Sequence, residues 1–308
     1  MVTAKQLAPI VLVATLLGAC LVAVLVPPTD DLSPHNSGWN GLSKAANALN
    51  ARLASLKDLE AYRPDKLVIL IVGVEKPVTP RQCEILKKLT MHGATIVIMD
   101  ETNNANPLLD CLGLGARIGG GVLVDHLHYM LDPRLPIARL ELRGNRIAKL
   151  SLDIASPIEV VGGKGSCIGY TYETAFADLN GNERLDPGEP SGRLCICYRE
   201  NLGNGTVYLF SDSSILINAM IDKTDNLDVF DSLVGENKTV VLVTDFWNFS
   251  PHARLVMALE SLGQLIAGTS LRYTTAILLA AIVYVAVARL QKTSKVEGVE
   301  ASRSTEHI

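Results

Sequence analysis

The sequence predicts an α/β fold: an open, mostly parallel sheet covered by helices on both faces, with a β-rich insertion and one transmembrane helix at each end. Three observations carry that expectation. Fully apolar runs of strand length alternate with helical patterns, residues 117–200 hold shorter, Gly-rich, alternating pieces, and a long uncharged run lies near each end. At 308 residues, 48% hydrophobic and a formal charge of −4, the chain is too apolar for disorder and too near neutrality for a general nucleic-acid binder.

The ends come first. Leu7–Val26 carries no charge and is stopped by Pro27-Pro28. About 20 residues at ~1.5 Å each match the ~30 Å hydrocarbon core of a bilayer. A second run, Tyr273–Ala288, sits between Arg272 and Arg289, which can snorkel toward headgroups. Lys5 precedes the first run, and Arg289, Lys292, Lys295 and Arg303 follow the second. This charge pattern predicts a two-pass protein of the cell membrane. It gives a cytoplasmic N-terminus (residues 1–6), spans over 7–26 and 271–290, an extracytoplasmic domain over 27–270 and a cytoplasmic tail over 291–308. Sequons at Asn204, Asn237 and Asn248 all fall in the external segment. Leu17-Gly18-Ala19-Cys20 also fits a lipoprotein cleavage site, but the apolar residues after Cys20 favour a retained signal anchor.

Within the external segment, Leu42–Leu59 places leucine and alanine at helical spacing, and Leu67–Gly73 reads as a buried strand. Pro80–His92 predicts an amphipathic helix with Cys83, Leu86 and Leu89 on one face, before a second buried strand at Ala94–Asp100. Gly119–Val124 and Leu194–Tyr198 belong to the β-rich insertion. Thr206–Asp212 and Thr239–Asp245 are two further buried strands, each followed by a helical pattern. The last of these begins near Pro251 and is expected to continue into the second span.

Several phrases resemble a known family. They are Leu32-Ser-Pro-His-Asn36-Ser-Gly38-Trp39-Asn40-Gly41-Leu-Ser43, Asp178–Pro190, Gly205–Asn218 and Asp225-Asn226. Together they resemble the membrane-anchored domain-of-unknown-function 4350 family over most of residues 30–245. The resemblance implies a glutamine-amidotransferase-like α/β fold, related to gliding-motility auxiliary and intraflagellar-transport domains, and a place in the cell envelope. It implies no reaction.

Four constellations could carry chemistry. Asp178, Asn180, Asn182, Asp186 and Glu189 stand at places one, three, five, nine and twelve of a calcium-loop spacing, with Arg184 at the seventh. Glu183 stands at the sixth place, where glycine is usual, and a plain Asx-rich turn is the rival reading. Gly165-Ser-Cys167-Ile-Gly169 matches the G-x-C-x-G elbow of an amidotransferase, but no His-x-Glu follows it. Cys167 paired with Cys195 or with Cys197 would clamp the base of the 178–189 loop, and an odd count of external cysteines leaves one thiol free. Two apart on a strand, Cys195 and Cys197 are expected to face the same side. Lastly, Asp100, Asp212 and Ser213 end apolar strands, with Asn36, Trp39, Asn40 and Ser43 as the opposite wall of a strand-end ligand pocket. Helix capping is the plainer role for Asp212 and Ser213. His126 and His128 alternate like strand residues with no third ligand in view.

No P-loop, dinucleotide fingerprint, G-x-S-x-G or H-E-x-x-H motif occurs. The expected protein is therefore a non-enzymatic, membrane-anchored binding or scaffolding protein of the envelope. Its expected partners are the lipid bilayer and another envelope protein, with no nucleic acid, and calcium is its one expected cofactor. A Cys167-dependent hydrolase and an accessory subunit of a transport or motility complex are the alternatives.

Overall fold

A computed structural model describes residues 4–142, 144, 146–235, 238–268 and 274. Two compact units divide the chain, Met1–Ser250 and Pro251–Ile308. The described part of the second is a single helix, Pro251–Gly268, with Thr274 beyond it.

The first unit is built on one mixed sheet of 11 strands. Its parallel half contains β1 (Arg52–Ala54), β2 (Leu67–Val72), β3 (Thr95–Met99), β12 (Gly205–Phe210) and β13 (Thr239–Val243), in the order β1-β13-β2-β3-β12. Beyond β12 the sheet turns antiparallel. The next strands are β11 (Cys195–Leu202), β9 (Ser166–Tyr170), β6 (Ile137–Glu141) and β7 (Ile147–Ser151), with β4 (Ala116–Ile118) and β8 (Ile158–Val160) attached beside β11. The strands β5 (Val122–Val124) and β10 (Phe176–Asp178) form a separate two-stranded sheet. The expected mostly parallel sheet is thus corrected to a mixed one. The β-rich insertion does not stand apart, because β11 returns directly against β12 through a tight turn at Gly203-Asn204, with Gly203 at φ +63.

Strands β2 and β3 are buried at every position, which is why they read as unbroken apolar runs. One face of the sheet packs Val68, Leu70, Val97, Leu140, Leu150 and Phe210 with Leu42, Val229 and Phe230. The other packs Ile69, Ile71, Ile96, Ile98 and Leu209 with Leu86, Leu89, Leu108 and Leu109. Helix α3 (Pro80–Met91) starts where Thr79 and Gln82 form a reciprocal capping box and Pro80 takes the first turn.

The helix expected over Leu42–Leu59 is cut short. Only Ser43–Ala48 is α-helical (α2), Asn50 turns into the left-handed region at φ +47, and Arg52–Ala54 then pairs with β13 as β1. The leucines at helical spacing are divided between a helix, an edge strand and the 3-10 turn Leu56–Ala61.

The membrane topology is also corrected. Among the described residues no helix is long and apolar enough to cross a membrane. Helix α1 (Ala4–Leu25) forms over the first apolar run. The second expected span, residues 271–290, and the tail, 291–308, lie outside the described residues apart from Thr274. Over the described residues, the lack of a helix able to cross a membrane contradicts the expected transmembrane helices and the two-pass cell-membrane localisation built on them.

Candidate functional site

Parallel strands all end at one edge, and the loops leaving β2, β3 and β12 there enclose a cleft of about 470 Å³. Gly73, Val74 and Glu75 follow β2, Asp100, Glu101, Thr102 and Asn104 follow β3, and Ser213, Ser214 and Ile217 follow β12. The segment before α2 supplies Asp31, Leu32, Trp39 and Asn40, and the chain leaving β7 supplies Asp153 and Ile154.

Each wall has a definite cause. Asp100 ties two loops together: Oδ2 accepts from Val74 N at 2.8 Å, and Oδ1 accepts from Thr102 N at 2.6 Å and Oγ1 at 2.7 Å. Glu101 reaches across to β12's loop, where its Oε2 accepts from Ser213 N and Oγ at 2.9 and 2.7 Å. Asp212 lies beneath the floor, wholly buried, and accepts from Asp153 N at 2.8 Å and Ser214 N at 2.7 Å. Its grip on Asp153 draws the outer strands' connection into the cleft. Ile154, next along, is β-branched yet sits at φ +55 on the rim, a conformation such residues rarely adopt.

The opposite wall is held by Asn218. Its Oδ1 accepts from Lys44 N and Ser43 Oγ, and its Nδ2 donates to Gly38 O and Asn36 O. Asn36 is buried and donates to Asp30 O and to Asn40 Oδ1, while the Asn40 amide donates to Asp31. A Cβ on Gly41 would stand 1.9 Å from Asn36 O, so only glycine permits this turn. With its backbone pinned this way, Trp39 projects with 70% of its surface exposed.

Four of the seven pocket residues expected from sequence line the cleft: Trp39, Asn40, Asp100 and Ser213. The other three, Asn36, Ser43 and Asp212, stand behind it and shape its walls. Glu75, Asp31 and Asp153 were not foreseen. Electrostatically the cleft is one-sided. Its lining includes Asp31, Glu75, Asp100, Glu101 and Asp153 and, among the described residues, contains no Lys, Arg or His. Burial pushes the Asp100 carboxyl up to about 6, against the pull of its Thr102 and Val74 hydrogen bonds. Asp153 is raised by burial and by the neighbouring Glu101 charge, and burial pushes Asp212 well above the usual carboxylate range.

The expected cysteine elbow does not form. Cys167 lies within strand β9 rather than on a strand-to-helix turn and is disulfide-bonded to Cys195. A second disulfide joins Cys83 on α3 to Cys111 on α4 (Asn106–Leu112). Cys197 is free and fully buried, and burial raises its thiol well above the ordinary value. Cys195 and Cys197 face opposite sides of the sheet, contrary to expectation. A bulge between them places Cys195 with Ile69 and Leu209 on one face and Cys197 with Leu140 and Phe210 on the other.

In the 178–189 loop, Asp178 accepts from the N–H groups of Asn180, Gly181, Asn182 and Glu183, and these outweigh its burial to hold its carboxyl below the usual value. Glu183, at the sixth place, takes φ +58, the turn glycine normally supplies there. Asn180 and Asn182 both donate to Asp186, while Glu189 accepts from Leu179 N and Asp186 N. Among the described residues no three His, Cys, Asp or Glu side chains converge as a metal set. A cation here would need the amide oxygens of Asn180 and Asn182 and the carbonyl of Arg184, besides Asp178, Asp186 and Glu189. His126 and His128 serve the same region structurally: His126 Nε2 meets Glu183 O at 2.9 Å, and His128 Nδ1 meets Thr174 Oγ1 at 3.0 Å.

Fold and cleft together define a disulfide-bonded α/β domain with a strand-end cleft. More particularly, the chain belongs to the family described as domain of unknown function DUF4350, whose model matches residues 34–234. No curated protein sequence matches it. Among solved structures, the chain is similar to the mmIFT52 N-terminal domain, at 15% identity and a TM-score of 0.45, covering 59% of this chain and 79% of that one. It is also similar to Gan42B, a GH42 beta-galactosidase from G., at 14% identity and a TM-score of 0.32, covering 56% of this chain and 22% of that one. The exo-beta-1,4-mannosidase Op5Man5 from Opitutaceae bacterium strain TAV5 aligns at 15% identity and a TM-score of 0.30, over 61% and 27% of the two chains. The chain therefore spans about a quarter of each glycosidase.

Proposed function

We propose that this is a non-catalytic, extracytoplasmic binding domain on a glutamine-amidotransferase-like scaffold, and that its cleft receives a positively charged group. The carrying observation is the cleft's lining: among the described residues, five carboxylates and no cation, with exposed Trp39 at the rim. Among the described residues, none of the five is ion-paired with a Lys, Arg or His. An ammonium or guanidinium would neutralise this charge and could rest on the indole face. Among the described residues the cleft is lined by no cysteine or histidine, and Cys167 is locked in a disulfide. Two disulfides accord with an oxidising compartment.

Trp39 offers a direct test. The other tryptophan, Trp247, is buried and donates to Val72 O, so a change in exposed emission reports the cleft. Titration of the full chain with spermidine or a lysine-rich peptide at pH 7.5 is expected to give saturable quenching, weakened by Glu101→Gln and Asp153→Asn. Absence of saturation, or variants that titrate like the parent, would refute the reading.

A second reading, calcium binding by the 178–189 loop, is favoured by Glu183 taking the turn that position six requires. It would stabilise the loop rather than supply chemistry.

A further inference from the structure

A second polar surface lies on the antiparallel end of the sheet and has the opposite sign. On β6 and β7, Ala138, Leu140, Ala148 and Leu150 turn inward to the core, while Arg139, Glu141, Ile147 and Lys149 alternate onto the other face and are exposed. Arg139 pairs across the ladder with Lys149 on one side and Tyr170 of β9 on the other. The register thus gathers two cations and an aromatic ring in one row.

Neighbouring side chains extend the row. The Arg139 guanidinium lies 4.1 Å from the centroid of the Tyr172 ring, and that of exposed Arg193 lies 4.6 Å from the centroid of Tyr170. His128 stacks on Tyr172 with ring centroids 3.8 Å apart and planes within 2°. Among the described residues no carboxylate pairs with Arg139, Lys149 or Arg193. Glu141 is the acidic residue on the exposed face of β6 and β7.

A lone arginine over a tyrosine is an ordinary way to settle a solvated side chain. Two such pairs side by side, with Lys149 on the neighbouring edge strand and no described carboxylate pairing it, do more. Each guanidinium is seated over a tyrosine ring, and a guanidinium's forked N–H donors match a carboxylate. Arg and Tyr are also the residue types that dominate protein-interface energetics. Ile147, 62% exposed beside Lys149, adds an aliphatic contact that a phosphate polymer or sulfated glycan could not use. The free edge of β7 is closed by Asp225 and Asn226, so a partner must dock on the face rather than add a strand.

We propose that the exposed face of β6, β7 and β9, built on Arg139, Lys149, Arg193, Tyr170 and Tyr172, docks an acidic segment of a protein partner. This surface is separate from the carboxylate cleft and does not depend on the function proposed for it.

Fluorescence anisotropy of the full chain with a labelled peptide of alternating Glu and Leu tests it. Saturable binding is expected, weakening as NaCl rises from 50 to 300 mM. Arg139→Ala with Arg193→Ala should weaken it at least tenfold, and Arg139→Lys several-fold, since an ammonium keeps the charge but not the planar, forked donors. Lys57→Ala, altering an exposed lysine elsewhere, should leave it unchanged. If the alanine variants do not fold, Arg139→Lys alone decides. No saturable binding, an equal loss with Lys57→Ala, or tenfold tighter binding of polyphosphate or heparin than of the peptide would overturn the proposal.

Discussion

Lys149 and Asp225 hold each other twice. Lys149 N donates to Asp225 Oδ2 at 2.8 Å, and Asp225 N donates to Lys149 O at 3.0 Å. Two residues along β7 the exchange repeats: Ser151 N donates to Asn226 Oδ1 at 2.9 Å, and Asn226 Nδ2 donates to Ser151 O at 3.1 Å. Since β7 is the last strand of the sheet, these are the groups a further strand would take. The start of α5 (Asn226–Val234) satisfies them instead, which closes the edge against unwanted pairing.

Asn226 is fully buried and also donates to Met220 O at 2.9 Å. Replacing it with alanine leaves a buried N–H and two carbonyls without these bonds. The expected loss is about 3 kcal/mol, from ~1 kcal/mol or more per unsatisfied group. Asp225→Ala, at a half-buried position where water can substitute, should lose about 1 kcal/mol. Urea denaturation reads both, as a lower midpoint at unchanged slope.

The two disulfides each join cysteines 28 residues apart. By chain entropy, each constrains the unfolded state by about 3–4 kcal/mol. Cys167→Ala with Cys195→Ala is therefore expected to lower the melting temperature markedly. Native alkylation followed by mass mapping should leave Cys197 unmodified until the protein is unfolded, because it is buried and its thiol is raised. Rapid native labelling of Cys167 would contradict the pairing.

Asp100 makes stability and ligand binding run in opposite directions with pH. Its folded carboxyl is raised by burial to about 6, above its ordinary 3.8, so folding favours the protonated form. The stability contributed is full below pH 3.8 and is lost as pH rises through about 6, a change of about 3 kcal/mol. Cation binding in the cleft needs the ionised form and should weaken as pH falls from 7.5 to 5. Asp178 and Asp186 are lowered, so their contributions are lost only at more acid pH. Denaturation midpoints and spermidine titrations across pH 5–7.5 check both slopes. Parallel trends would show that another group dominates.

The parallel half of the fold is legible because β2, β3, β12 and β13 are apolar at nearly every position and bounded by turns. Strand β1 is hidden, since three residues give no period and Leu53 also fits a helix. The antiparallel turn of the sheet had a signal in Leu202-Gly203-Asn204-Gly205, a two-residue hairpin loop. Of the cleft, residues at the ends of apolar strands, such as Asp100 and Ser213, can be placed from sequence. Asp153 cannot, because a hydrogen bond to Asp212, 59 residues away, brings it there. The opposite faces of Cys195 and Cys197 depend on a bulge, which strand alternation alone does not reveal.

The 178–189 loop gives the last prediction, because its hydrogen bonds and a bound cation compete for the same oxygens. Asp186 accepts from both Asn180 and Asn182 at 2.7 Å, so their amide nitrogens now face a would-be ligand. Calcium binding must turn both amides to present oxygen and release the Asp186 carboxylate. Asp178 and Asp186 are already held below the usual carboxylate range and need no deprotonation near neutral pH. Excess calcium is therefore expected to raise the melting temperature by a few degrees, with chelator reversing the gain. Glu189→Gln should abolish the gain, while its remaining Oε1 can still accept from Leu179 N. Asn182→Ala should reduce it less, because it removes one neutral ligand rather than a charge. A melting temperature unmoved by calcium and chelator alike would leave the loop as a turn held by its own Asx hydrogen bonds.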